Sequence, residues 1–231
     1  LRPSGASEIR KATLEFDKMM KRINKHLNQR SEMLSGISHD LRTPLTRLKL
    51  QLAFLNQKEI SEKMSKDIDE MESMLNDYLQ FAKTQIQEDS VKINVNEFFL
   101  NICKSINNRN LNLNRSDEEL VLNGRKNSLE RCFINLIQNG LTYGKKVFIG
   151  IGKTSHRIVV SIDDDGPGIP KEEYRNIFKP FYRLDKSRSL NKSGVGLGLS
   201  IAEDIVNSHG GNIQLSESKH KGLQVKVFLP F

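Results

Sequence analysis

Leucine returns every seventh residue at Leu27, Leu34, Leu41, Leu48 and Leu55, and this seam constrains the fold more than any other feature of the chain. Such a repeat is an apolar stripe on a helix, and another helix must cover it. Taking the seam as position a puts Ile37 at d and His39 at f, on the outer face. A solvated imidazole titrates near ~6.5, is largely neutral at pH 7 and offers the lone pair a nucleophile needs. Asp40 follows it, placed to fix the ring tautomer or take its proton, and Thr43 lies one turn on along the same face. Pro44 lacks an N–H, so the Asp40 carbonyl loses its intrahelical donor and a kink beside the histidine is expected. A lone surface histidine needs no function. An acid, a hydroxyl and a proline within a turn or so of it are not explained by packing.

The run Ser38-His39-Asp40-Leu41-Arg42-Thr43-Pro44-Leu45-Thr46 resembles the H-box of sensor histidine kinases. With GASEIRKATLEFDKMM upstream it is similar to the EnvZ-like group. That resemblance implies a phosphoacceptor at His39, assisted by Asp40, and a role for Thr43 in removing phosphate from the partner regulator.

With 231 residues, 28% charged and 37% hydrophobic, the chain suits one large or two modest soluble domains. No apolar run approaches the ~18 residues of a membrane span, and no signal peptide opens the sequence. The net charge of +8 does not indicate nucleic-acid binding, because basic and acidic residues interleave along helices and no DNA- or RNA-binding signature occurs. Cys103 and Cys132 lie in apolar helical settings without a C-x-x-C pattern, which suits reduced thiols in a cytoplasmic protein.

Three regions are expected. Residues 1–28 open with an Arg-Pro-Ser-Gly turn, then show helical spacing at Ile9, Ala12, Phe16, Met19, Ile23 and Leu27. This resembles the second helix of a HAMP relay module, and a plain coiled-coil leader fits as well. Residues 29–88 hold the His39 helix and a second one carrying Met64, Ile68, Met71, Leu75, Tyr78 and Ala82. A two-helix hairpin cannot bury both stripes, so two chains are expected to pair into an antiparallel four-helix bundle. Ten buried side chains at ~1.5–3 kcal/mol each outweigh the cost of association. Residues 89–231 mix helices (97–106, 127–143, 195–208) with strands at 91–95, 120–122, 147–151, 157–162, 213–215 and 223–229, and a short strand near 111–114. That pattern predicts an α+β sandwich of antiparallel character.

Four clusters in this last region carry chemistry. Asn135 and Asn139 share one helical face with Tyr143 beyond them, and an amide oxygen suits Mg²⁺, although solvated asparagines look the same. Asp163-Asp164-Asp165-Gly166-Pro167-Gly168 ends a strand, where a turn alone explains the glycines; calcium is disfavoured because the EF-hand spacing is absent. Phe178 and Phe181 precede a basic stretch with Arg183, Lys186 and Arg188, which could reach phosphate from a closed loop, while core packing explains the rings equally well. Gly194, Gly196 and Gly198 lead into a helix, where free N–H groups and the helix dipole favour an anion; the spacing is neither Walker A nor Rossmann.

In order, these clusters resemble the N-, G1-, F- and G2-boxes of the GHKL ATP-binding fold. The resemblance implies Asn139 on Mg²⁺, Asn135 near the phosphates, and Asp164 on the adenine amine with Gly166 and Gly168 beside the ring. Gly140 and Thr142 depart from it, standing where Ala and a basic residue are common. The implied activity is ATP-dependent phosphorylation of His39, then transfer to an aspartate of an OmpR-type response regulator, and dephosphorylation of that regulator is expected too. The partners implied are a second copy of the chain and that regulator, with the membrane reached only through absent N-terminal segments of an inner-membrane sensor. Two alternatives stand beside it. One is a dimer acting mainly as regulator phosphatase or docking module, which the two departures support. The other, a GHKL ATPase with a different acceptor, leaves the H-box without a purpose.

Overall fold

The computed structural model describes residues 7–53, 58–82, 88–184 and 196–231, with the backbone alone at 7–8, 24–35, 38–39, 53, 58–59, 70, 73 and 76–82. The chain divides into two compact units, Leu1–Ile86 and Gln87–Phe231.

The first unit is a pair of helices. Helix α1, Ser7–Ala53, continues through Pro44, and α2 spans Lys58–Ala82. They pack through Leu52 and Ile68, both buried, and the Ser61 hydroxyl donates to the Leu52 carbonyl at 2.8 Å. The Lys49 ammonium meets Asp69 and Glu72 at 2.7 Å each. The α2 stripe expected from sequence is split. Ile68 and Leu75 turn inward, whereas Met64 and Met71 are exposed with Ile60 and Met74. On α1 the seam residues Leu41 and Leu48 stand 47% and 45% exposed, and Ile37 is exposed as well. One hairpin therefore leaves an apolar row on each helix uncovered.

The second unit is built on a five-stranded sheet in the order β2-β4-β5-β7-β6. Its strands are β2 Leu111–Asn114, β4 Val147–Lys153, β5 Arg157–Asp164, β6 Asn212–Glu217 and β7 Leu223–Pro230. Two more, β1 Val91–Asn94 and β3 Val121–Gly124, pair apart as an antiparallel ribbon. Alternation explains the large sheet: Val147 and Ile149, Ile158, Val160 and Ile162, and Val225, Val227 and Leu229 are buried while their neighbours face outward. The antiparallel character holds except at one edge, where β2 runs parallel to β4.

Helices α3 (Val95–Ile106), α4 (Lys126–Tyr143) and α5 (Gly198–Ser208) complete the layer. The α4 positions Leu129, Cys132, Phe133, Leu136 and Ile137 are buried at helical spacing, as are Ile201, Ala202, Ile205 and Val206 of α5. Phe98, Phe99 and Phe133 meet edge to face at centroid distances of 4.6–6.1 Å. The Cys132 thiol is enclosed by this packing, and burial pushes its pKa up to about 12, so it acts as a small apolar residue.

Three of the shifts in element boundaries from the sequence expectation have a local reason. Val95 belongs to α3 because the Asn94 side chain accepts from the Glu97 N–H at 3.2 Å and starts the helix there. Strand β5 runs on to Asp164, because Asp163 and Asp164 still pair with Phe148 and Val147. Helix α5 starts at Gly198, because Gly196 takes φ +78, a left-handed conformation outside a helix.

The start of α4 has no cap from its own preceding residue, Arg125. Glu88 supplies it from elsewhere in the chain. Its carboxylate accepts from the Asn127 N–H at 2.7 Å and from the Ser128 N–H and hydroxyl at 3.0 and 2.8 Å. Burial works against the Glu88 charge, yet these donors outweigh it and hold the carboxyl below the usual range.

Candidate nucleotide-binding site

The site is built where α4, the end of β5 and the N-terminus of α5 meet. Asp164 is 6% exposed at the last position of β5. Its Oδ1 accepts from the Gly166 N–H at 2.9 Å and the Leu223 N–H at 3.1 Å, and no protein donor among the described residues is bonded to Oδ2. That oxygen can accept from a ligand's amino group. Desolvation raises the Asp164 pKa, partly offset by the two N–H donors and reinforced by the neighbouring Asp165 and Asp163 charges. Asp165 does different work. Its Oδ1 takes the N–H groups of Lys145 and Lys146 at 2.6 and 2.8 Å, closing the α4–β4 turn and holding its own pKa low.

Glycines let the backbone crowd this corner. A methyl on Gly166 would come within 2.9 Å of Asp164 Oδ1 and of the Tyr143 carbonyl, which ties the G1 turn to the end of α4. Gly168 has φ +73, the left-handed region glycine tolerates best. Gly222 is tighter still, because a methyl there would overlap Asp164 Oδ1 and its carbonyl. Gly222 and the Leu223 N–H were not identified from sequence. The available signal was a glycine directly before the last strand, which reads equally well as a hairpin turn.

On α4, Asn135 and Asn139 are both partly buried. Asn135 Cβ and Cγ lie 3.8 and 3.9 Å from where a Gly198 side chain would begin, so the N-box and the G2-box meet. The Asn135 Nδ2 is buried and has no hydrogen-bond partner. A buried amide left unsatisfied costs about 1–3 kcal/mol, so this donor suits a bound anion. The departure at Gly140 has a packing reason. A methyl there would lie 2.8 Å from Val147 Cγ2 and 3.6 Å from Asp164 Cβ, so glycine lets α4 sit on the sheet beside Asp164. At Thr142 the hydroxyl bonds back to the Gln138 carbonyl at 2.8 Å. Tyr143 is exposed.

The F-box lies against the G2 turn: the Phe181 N–H donates to the Gly196 carbonyl at 3.0 Å. A methyl on Gly196 would fall 2.8 Å from the Tyr182 carbonyl. Phe181 itself has φ +65 and is exposed, so it is not a core anchor, whereas Phe178 is partly buried. Arg183 is partly buried. Lys186, Arg188 and Gly194 lie outside the described residues. In the helical unit, His39 has its backbone in α1, while Asp40 and Thr43 are exposed on the same helix. No cluster of three or more His, Cys, Asp or Glu suited to a metal occurs among the described residues.

Residues 29–86 match the HisKA family, the His Kinase A (phospho-acceptor) domain. Residues 124–231 match HATPase_c, the histidine kinase-, DNA gyrase B- and HSP90-like ATPase family. Sensor histidine kinase GtrS of Pseudomonas aeruginosa is 36% identical over 100% of this chain and 48% of its own length. The chain thus joins a histidine kinase phospho-acceptor domain to a HATPase_c domain. Sensor histidine kinase CpxA of Escherichia coli K12 is 32% identical over 98% of this chain and 52% of its own. The chain spans about half the length of the curated relatives it matches. Full-length ShkA, solved in complex with AMPPNP, shares the histidine kinase fold at a TM-score of 0.70 and 20% identity, covering 87% of this chain and 46% of its own.

Proposed function

We propose that this histidine kinase binds ATP between α4, the G1 turn and the α5 N-terminus, and uses it to phosphorylate its own His39. The observation that carries the reading is the meeting of the buried, partnerless Asn135 amide with the glycine start of α5, beside an Asp164 with one oxygen uncommitted. Asp164 Oδ2 accepts from the adenine amine, and the α5 N–H groups and Asn135 face the phosphates. Arg183 adds positive charge there, and the basic residues Lys186 and Arg188 follow it in the sequence. Asn139 would hold Mg²⁺, which would supply positive charge to the phosphate oxygens. The imidazole nitrogen of His39 forms a bond to the γ-phosphorus while the bond to the bridging oxygen breaks, and ADP leaves. Asp40 orients the ring and holds its proton. Positioning and charge neutralisation are the main demands of such a transfer.

The exposed α1 and α2 rows support a homodimer bundle, and a response regulator of the OmpR type docks on it to receive the phosphoryl group. The protein is the cytoplasmic part of an inner-membrane sensor. Among the described residues no helix is long and apolar enough to cross a membrane. A mainly phosphatase or docking role is less well supported, because Gly140 serves packing against Val147 and Asp164 rather than marking a decayed site. Incubation with γ-labelled ATP tests the proposal: a label stable in alkali and lost in acid is expected, and a label with the reverse stability would refute histidine as acceptor.

Two further outcomes follow from the helical unit. Leu41→Asp places a carboxylate in the dimer seam at a cost of several kcal/mol. Light scattering should then report monomer where the wild type is dimer, and a dimeric variant would reject this seam. Thr43→Ala should autophosphorylate normally but slow the decay of phosphorylated regulator at least tenfold, with Thr43→Ser intermediate. The hydroxyl is one turn from His39 and can orient water for in-line attack. Equal decay with wild type and Ala would exclude that role.

A further inference from the structure

Two contacts pin α4 and α5 together at the end away from the nucleotide residues. The Arg125 N–H donates to His209 Nε2 at 3.1 Å, and His209 Nδ1–H donates to the Ile205 carbonyl at 2.7 Å, which fixes a neutral ring. The Arg125 guanidinium also donates to the Ser208 carbonyl at 3.3 Å and to the Ser208 hydroxyl. Burial, with Arg125 adding to it, keeps the His209 pKa below its ordinary value against the pull of the Ile205 carbonyl and the Glu88 charge. The helices meet again at Asn135 and Gly198. Ten residues of α4 and eleven of α5 separate the two contacts, roughly 15 Å of helix on each side. The pair is therefore antiparallel, clamped at one end and bearing the phosphate residues at the other.

Glu88 sits on the clamped end. It holds the N–H groups of Asn127 and Ser128 and the Ser128 hydroxyl, two and three residues after Arg125, which bonds His209. The positive charges of Arg125 and Arg131 both act on it. None of the groups in this cluster belongs to the nucleotide site. Glu88 also follows Ala82, the last residue of α2, by only six positions.

We infer that Glu88 is a positioning residue for nucleotide binding: by clasping the start of α4 it sets, through the Arg125–His209 contact, the α4–α5 alignment that Asn135 and the α5 N-terminus require. This rests on the nucleotide reading of that site. The coupling is reciprocal, so nucleotide must tighten the clasp by the factor with which the clasp tightens nucleotide.

The full chain with AMPPNP and Mg²⁺ provides the test, by calorimetric titration and by hydrogen exchange at the amides of Asn127 and Ser128. Glu88→Gln keeps the shape and loses the charge, and roughly fivefold weaker binding is expected for the loss of a cap. Asn94→Ala is the control, since Asn94 caps α3, which carries no nucleotide residue. It should lower the melting temperature and leave affinity unchanged. In the wild type, nucleotide should slow exchange at Asn127 and Ser128, and in Glu88→Gln this protection should shrink; Glu88→Asp should recover part of both effects. Wild-type affinity in Glu88→Gln, or exchange at Asn127 and Ser128 indifferent to nucleotide, would overturn the inference while leaving the site intact. Failure of the wild type to bind AMPPNP would overturn the nucleotide reading and the inference with it.

Discussion

Asp164→Asn is expected to fold at least as well as the wild type and to bind ATP about a hundredfold more weakly. The Asn oxygen can still accept from the Gly166 and Leu223 N–H groups, so the corner keeps its hydrogen bonds. What changes is the other atom. Oδ2, now an acceptor without a protein donor, becomes an NH₂ group that faces the adenine amine donor to donor. Losing a hydrogen bond to a charged acceptor costs ~1.5–3 kcal/mol, and a mismatched buried donor adds to that. Stability should move the other way. The Asp164 pKa is raised by burial, so in the wild type this group costs stability as pH rises above the ordinary carboxylate range, and the cost vanishes when both folded and unfolded chains are protonated. The variant's advantage in thermal melts should therefore be present at neutral pH and disappear in acid. A variant that binds ATP normally would remove Asp164 from the adenine site, and one that unfolds would show that its charge is structural.

Local patterns were legible in the sequence because the physics behind them is local. His39, Asp40, Thr43 and Pro44 fall within six residues of one helix, so their relation follows from helical geometry alone. Burial on α4 and on β4, β5 and β7 followed from periods of 3.6 and 2. The meeting of Asn135 with Gly198 was suggested only by the order of the boxes, and it takes the folded α4–α5 pair to bring them into contact.

Long-range closure was not legible. Gly222 is obligatory because a backbone 58 positions away, at Asp164, passes against it, and no pattern near Gly222 announces that. Glu88 closes the 29–88 region expected from sequence, yet it caps a helix beginning 38 residues later. Short-range rules assign an N-cap to the residue before the helix, and Arg125 cannot fill that role. The split of the α2 stripe has a similar origin: the 4-3 spacing marks apolar positions but does not say which of them α1 covers and which stay exposed.

The central claim is that ATP bound in the second unit phosphorylates His39 in the first. Its most direct measurement compares wild type and His39→Gln after incubation with γ-labelled ATP and Mg²⁺, with ATP affinity measured in parallel. Gln has no basic ring nitrogen to attack phosphorus, and residue 39 lies outside the residues that form the nucleotide site. The account predicts complete loss of the acid-labile label with ATP affinity unchanged. Label persisting in His39→Gln at the wild-type level would contradict it.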